Sequence, residues 1–183
     1  MSASAVDGAV LLAIAREAIH ERLGVAQRAP RGEAWLLAQA ATFVTLRRAG
    51  ELRGCIGSVD ARRPLGDDVA HNAQAAAFHD PRFAPLAREE LDGLEVEVSV
   101  LSPRRALPVT SESEAAARLR PGIDGVYLEY GNSCATFLPQ VWESIPAPLV
   151  FLSELRQKAG LPRRFWHPEL RLTCYTVEKF RDE

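Results

Sequence analysis

Leu94-Glu95-Val96-Glu97-Val98-Ser99-Val100 alternates without a break. Successive side chains of an extended chain point to opposite faces, so Leu94 and the valines share one face while Glu95, Glu97 and Ser99 share the other. No helical arrangement separates these residues so cleanly, and the segment is committed to a strand. Other strands gather around it. Thr42-Phe43-Val44-Thr45-Leu46 is β-branched and apolar, and Ala49-Gly50 turns it into a second strand over Leu52 to Val59. Val126 to Tyr130, a Gly131-Asn132-Ser133 turn and Cys134 to Leu138 read as another hairpin, and Leu170 to Val177 alternates as a last strand.

Helical segments lie between the strands. Val6, Val10, Ile14, Ala18 and Leu23 recur close to the helical period over residues 5–23, and Gly24 ends the run. Pro64 suits a helix start, Asp67 and Asp68 complement its positive end, and Leu65, Val69, Ala73 and Ala76 form its inward stripe. That helix stops near Asp80-Pro81, because the residue before proline avoids helical dihedrals. Ser111-Glu112-Ser113-Glu114 is a capping-box pattern, and its helix closes at Pro121-Gly122. Pro148 opens a further helix with Phe151, Leu152 and Leu155 inward and Gly160 at its end. Hairpins outnumber helical crossovers, so the chain is expected to be α+β, two-lobed, with mainly antiparallel sheet and flanking helices. The expected organisation is one domain over 1–183, with lobes at 1–110 and 111–183 and the last strand free to return to the larger lobe.

The 183 residues, 47% hydrophobic, bury enough surface to fold without a disulfide or metal staple. Cys55, Cys134 and Cys174 stand far apart, with no CxxC and no clustered histidine, which argues against a disulfide framework, against a local zinc site, and for a reducing cytoplasm. The net charge of −2 and the lack of a basic run argue against nucleic acid. No stretch approaches the ~20 apolar residues of a membrane span. Met1-Ser2-Ala3-Ser4-Ala5 lacks the basic start of a signal peptide.

One segment stands out chemically: Leu52-Arg53-Gly54-Cys55-Ile56-Gly57. Pairing Val44 with Ile56 and Leu46 with Gly54 joins apolar groups and sets Thr45 opposite Cys55; that register calls for a three-residue loop, Ala49-Gly50-Glu51. Strand parity then puts Arg53 and Cys55 on one face and Leu52 and Ile56 on the other. A thiol beside a guanidinium is a candidate nucleophile, with Arg53 as thiolate or anion stabiliser. Gly54 and Gly57, bare inside a strand, mark a bulge or the approach of a ligand or another backbone, and free N–H groups there would hold an anion. The alternative stands beside it: cysteine commonly packs as a small hydrophobe, and Arg53 pairs with a carboxylate such as Glu97 on a neighbouring strand.

The segment resembles the hallmark of the AMMECR family, called AmmeMemoRadiSam system protein A in bacteria. Ala77-Phe78-His79-Asp80-Pro81-Arg82-Phe83, Glu95 to Ser102, Thr136 to Glu143 and Lys158-Ala159-Gly160-Leu161 resemble further family segments in the same order, so the likeness spans roughly residues 8–181. Residues 131–135 depart from it, carrying small groups where basic ones are expected. The resemblance implies a two-lobed α+β fold, no bound cofactor, and association with a MEMO-type protein, which resembles extradiol dioxygenases, and with a radical SAM protein. It assigns no reaction.

Two functional classes follow. In one, Cys55 acts on a small substrate or ligand, with Arg53 beside it; Glu95 and Glu97 offer a base, a binding group or a metal ligand, or else form a solvated or covered strand face. His71 and His79, on or just after the second helix, are the histidines best placed to approach the thiol. In the other, the chain is a non-catalytic adaptor that docks a partner through Arg53, Asp80, Arg82 and Gln140. Asp80 and Arg82 can equally form a local ion pair that fixes the turn.

Overall fold

The computed structural model describes residues 6–30 and 32–182; Met1–Ala5, where the sequence predicts no signal segment, and Arg31 lie outside them. The chain divides into two units, one comprising residues up to Leu101 together with those from Glu178 on, the other running from Ser102 to Val177.

In the first unit, α1 (Gly8–Arg22) begins where the Asp7 carboxylate accepts the Ala9 N–H at 2.9 Å. Its fully buried stripe is Leu11, Ile14, Ala15, Ala18 and Ile19. Val6, Val10 and Leu23 pack only at the edge of that core, so the inward face is rotated from the expected one. A 3₁₀ turn over Ala34–Leu37 leads into β1 (Gln39–Arg48), β2 (Glu51–Gly57), the two-residue β3 (Arg63–Pro64) and α2 (Leu65–Phe78). A second 3₁₀ turn, Arg88–Glu90, precedes β4 (Leu94–Leu101).

The second unit holds β5 (Arg105–Ala106), α3 (Glu112–Arg118), β6 (Gly125–Tyr130), β7 (Ser133–Phe137), α4 (Val141–Ser144), α5 (Pro148–Lys158) and β8 (Arg171–Tyr175). Its sheet order is β5-β8-β6-β7. Ser111 caps α3 by accepting the Glu114 N–H at 3.2 Å, while the Glu114 carboxylate reaches the Thr110 N–H, one residue beyond the box the sequence suggests. The core sets Val126, Leu128 and Leu172 against Phe151, Leu152 and Leu155, with Trp142 stacked on Phe151 at 3.7 Å.

The chain then returns to the first unit as β9 (Val177–Arg181), giving the order β2-β1-β4-β9 with β3 alongside β1. The single last strand expected over Leu170–Val177 is therefore two, divided at Thr176. Alternation runs through Thr176 unbroken, so the residue pattern carries no sign of the division. What marks it is Ser102, whose Oγ accepts the Thr176 N–H and whose N–H donates to the Thr176 carbonyl, both at 2.9 Å.

The large sheet buries Val44, Leu46, Val96 and Val98 against Leu11, Ile14, Val69 and Ala73. The β1–β2 register joins Val44 to Ile56, Thr45 to Cys55 and Leu46 to Gly54, as the sequence predicts. The loop differs. It has two residues, Ala49 and Gly50, both with positive φ (51° and 81°), the turn geometry that follows the twist of paired strands. A register shift between Leu46 and Arg47 absorbs the extra residue, leaving Arg53 without a partner in a bulge. Strand parity fails there: Leu52 stands opposite Arg47, on the face of Thr45, rather than with Ile56.

Polar side chains tie α2 to this sheet. Asp68 is fully buried, and its carboxylate accepts the Thr42 N–H at 2.9 Å, the Thr42 hydroxyl at 2.8 Å, the Ser58 hydroxyl at 2.9 Å and the Asn72 amide at 3.0 Å. Both Asp67 and Asp68 lie in the first turn of α2, as the sequence predicts, but only Asp67 is exposed. Among the described residues no helix is long and apolar enough to cross a membrane.

Candidate functional site

β2 lies at an edge of the large sheet, where main-chain donors and acceptors need partners from elsewhere. At Cys55 two side chains supply them. The Cys55 N–H donates to Asp80 Oδ2 at 2.9 Å, and Arg82 Nη2 donates to the Cys55 carbonyl at 3.3 Å. Arg82 also grips Asp80 through Nε at 2.9 Å, Nη2 at 2.7 Å and its own N–H at 3.1 Å. The pair thus substitutes for one residue of a neighbouring strand. Hydrogen bonds from the Arg82 side chain, and then those from the Cys55 and Arg82 N–H groups, hold the buried Asp80 carboxyl well below the usual carboxylate range against the opposing effect of burial.

The second anchor is Arg53. Displaced by the bulge, its guanidinium donates to Glu90 at 2.7 and 3.0 Å and to the Ala84 carbonyl at 2.9 Å. It also lies 5.8 Å from the Phe83 ring centroid, and Arg82 lies 5.4 Å from the same ring. Glu90 accepts the Ala87 N–H at 2.9 Å as well. Its carboxyl is drawn down to about 2, first by hydrogen bonds from Arg53. Residues 79–90 are therefore held in an irregular path by the Arg53 side chain and by the N–H and carbonyl of Cys55.

The Cys55 thiol is half-buried on the sheet face opposite α2, where it accepts a hydrogen bond from the Thr45 hydroxyl at 3.3 Å. The guanidinium beside this residue is that of Arg82, which reaches the Cys55 carbonyl, whereas that of Arg53 is turned to Glu90. Glu97 continues this row as the other cross-strand neighbour of Thr45 and faces Lys179 at 4.0 Å, so the expected Arg53–Glu97 pairing is replaced by Arg53–Glu90 and Lys179–Glu97. His71 and His79 are exposed, and neither is hydrogen-bonded to Cys55. Gln140 belongs to the second unit, at the start of α4; its Oε1 is buried without a partner among the described residues.

The two glycines have internal explanations. A Cβ on Gly54 would lie 2.2 Å from the Ala76 carbonyl oxygen, because α2 packs directly on the strand backbone there. A Cβ on Gly57 would lie 2.2 Å from the Phe43 ring. The Cys55 N–H, which the sequence offers to an anion, is already committed to Asp80. Among the described residues no three His, Cys, Asp or Glu side chains converge as a metal site would require.

Sequence reasoning missed Glu90, Phe83 and the Ala84 carbonyl, which have no spacing relation to Arg53. Asp68 and Asn72 left a readable trace: two polar residues one helical turn apart, interleaved with Leu65, Val69, Ala73 and Ala76.

Two antiparallel sheets, each with its own helices and core, define an α+β protein whose candidate site lies on the edge strand of the larger sheet. A sequence profile of the AMMECR1 family matches residues 12–180, and the chain belongs to that family. A protein of Methanothermobacter thermautotrophicus is 38% identical over 97% of this chain and 95% of its own length. A protein of Thermofilum pendens is 37% identical over 97% of this chain and 90% of its own. The crystal structure of an uncharacterised protein from Pyrococcus horikoshii superposes with a TM-score of 0.84 at 34% identity, covering 96% of this chain and 91% of that one.

Proposed function

We propose that the chain is the docking component of an AmmeMemoRadiSam-type system, receiving a MEMO-type or radical SAM protein on the surface built from the Cys55 edge and residues 79–90. One observation supports this above others: four charged side chains of the surface are paired within the chain, Arg53 with Glu90 and Asp80 with Arg82, and their joint effect is to fix a loop. A fixed irregular loop on a sheet scaffold is a common recognition surface, and preorganisation reduces the entropy lost on binding. Pro81, Arg82, Ala84 and Pro85 are among its exposed residues. Co-purification with each partner tests the reading. Ala84→Arg adds bulk to the exposed face and is expected to abolish binding with an unchanged melting temperature. Arg53→Ala is the poorer probe, because it strips Glu90 of its partner. Failure to bind either protein, or undiminished binding by Ala84→Arg, refutes docking here.

A second reading has its own support, the Thr45 hydroxyl on the Cys55 thiol and the Arg82 guanidinium on the Cys55 carbonyl. In it, Cys55 contacts a small ligand directly. Iodoacetamide near neutral pH then alkylates Cys55 in the folded chain, and more slowly in Arg82→Gln. A Cys55 that resists alkylation in the folded chain removes this reading. Both readings place the chain in a reducing cytoplasm.

A further inference from the structure

A second feature of the first unit shares no residue with the Cys55 edge. It is an open cavity of about 200 Å³. Ile14 of α1, Leu36 and Leu37 of the 3₁₀ turn, and Gly66 in the first turn of α2 form its apolar walls. Gly66 leaves part of the cavity open. A Cβ there would lie 3.5 Å from Leu36 Cδ2 and 3.8 Å from Ile14 Cδ1, ordinary contact distances, so it would project among the wall residues without a clash. Gly66 has no positive φ that would require glycine. Unlike Gly54, then, this glycine relieves no clash. Its missing side chain leaves the space open.

The surroundings indicate what fills it. Leu37 is 75% exposed at this wall. An isolated exposed leucine needs no explanation, but this one extends an apolar surface that is already concave. Glu33 and Asp67 also line the cavity; both are exposed, and neither forms an ion pair among the described residues. Sites for whole small-molecule ligands usually enclose about 300–1,000 Å³. This cavity suits a single large side chain, with the rest of the chain that carries it passing over the two carboxylates.

We propose that this cavity is an anchor pocket for a basic peptide segment of a partner protein: one Phe- or Leu-sized side chain enters between Leu36, Leu37 and Gly66, and flanking Lys or Arg residues face Glu33 and Asp67. A single buried apolar anchor with charges at its rim is the arrangement that concentrates binding energy in a few residues. The rim charges make the interaction weaken with salt. Because the pocket and the Cys55 edge have no residue in common, either can fail without the other.

The test is an amide-resolved NMR titration of the full chain at low salt with a heptapeptide carrying a central Phe between two lysines on each side. Expected are shifts centred on Leu36, Leu37, Gly66 and Asp67. Gly66→Leu, which fills the cavity, weakens binding about tenfold or more without lowering the melting temperature. Glu33→Gln with Asp67→Asn removes the salt dependence, and a peptide with Ser for Phe loses binding. Absence of shifts, shifts centred elsewhere, unchanged affinity in Gly66→Leu, or equal binding of a peptide with Glu for Lys overturns the proposal.

Discussion

Gly54 shows most sharply what a single residue does at this site. Its missing side chain lets the backbone of α2 meet the backbone of β2, and a methyl group would sit 2.2 Å from a carbonyl that cannot swing aside. Gly54→Ala is therefore expected to cost about 1–3 kcal/mol, the usual range for overpacking. It should appear as a lower melting temperature, with Gly66→Ala as the control that melts no lower than the parent. A Gly54→Ala protein as stable as the parent would show that the close approach is not what requires glycine. The sequence reading recognised that a bare strand position announces the approach of a ligand or a backbone, but it had no means of choosing. The approaching group is a peptide of α2, and nothing in Ala76 itself advertises that. Arg53 eluded the sequence for a related reason. Alternation assumes an unbroken ladder, and the bulge that frees Arg53 is set by a two-residue turn competing with a register fixed by Val44, Leu46 and Ile56.

At the level of elements, two carboxylates join the edge strand to residues 79–90, and this connection responds to pH with a definite sign. Glu90 falls from an ordinary 4.5 to about 2 in the folded chain, and Asp80 is also lowered. A carboxyl with a depressed folded pKa contributes stability that is present above its unfolded pKa and lost as pH falls toward the folded one. The melting temperature is therefore expected to drop between pH 4.5 and pH 2 as Glu90 takes up a proton, with Asp80 extending the loss further into acid. Glu90→Gln should melt lower than the parent at pH 7 and decline less steeply on acidification; an equally steep decline would mean that the Arg53 pair does not carry the effect. The elements themselves were largely legible. Helical spacing located α2 and α5, Ser111 located α3, and glycine turns located both hairpins. The contacts that fix residues 79–90 were not, because they join side chains to carboxylates and carbonyls through space and leave no period in the chain.

For the whole molecule, the decisive fact is that the first unit is finished by the last residues of the chain. β9 completes the large sheet only after the entire second unit has been formed from Ser102 to Val177. Its anchors are specific. Asp182 Oδ2 accepts the Val96 N–H at 2.7 Å and pairs with Arg16 of α1, Lys179 faces Glu97 at 4.0 Å, and the Phe180 ring covers Gly8 so closely that a Cβ there would lie 2.3 Å from it. β4 is by pattern the most self-evident strand of the sequence, yet it depends on residues far along the chain for one of its edges. Ending the chain after Tyr175 exposes that edge and unpairs Arg16, while the second unit keeps β5, β6, β7 and β8. Amide hydrogen exchange should then rise in β4 and α1, with β6 and β7 retaining their protection and the melting transition of the first unit shifting down. Asp182→Asn should produce a smaller change confined to Val96 and the start of β4, since it weakens one anchor and leaves the strand in place. Exchange that rises instead in β6 and β7, or a truncated chain with unchanged protection in β4, would show that the first unit is complete without its returning strand.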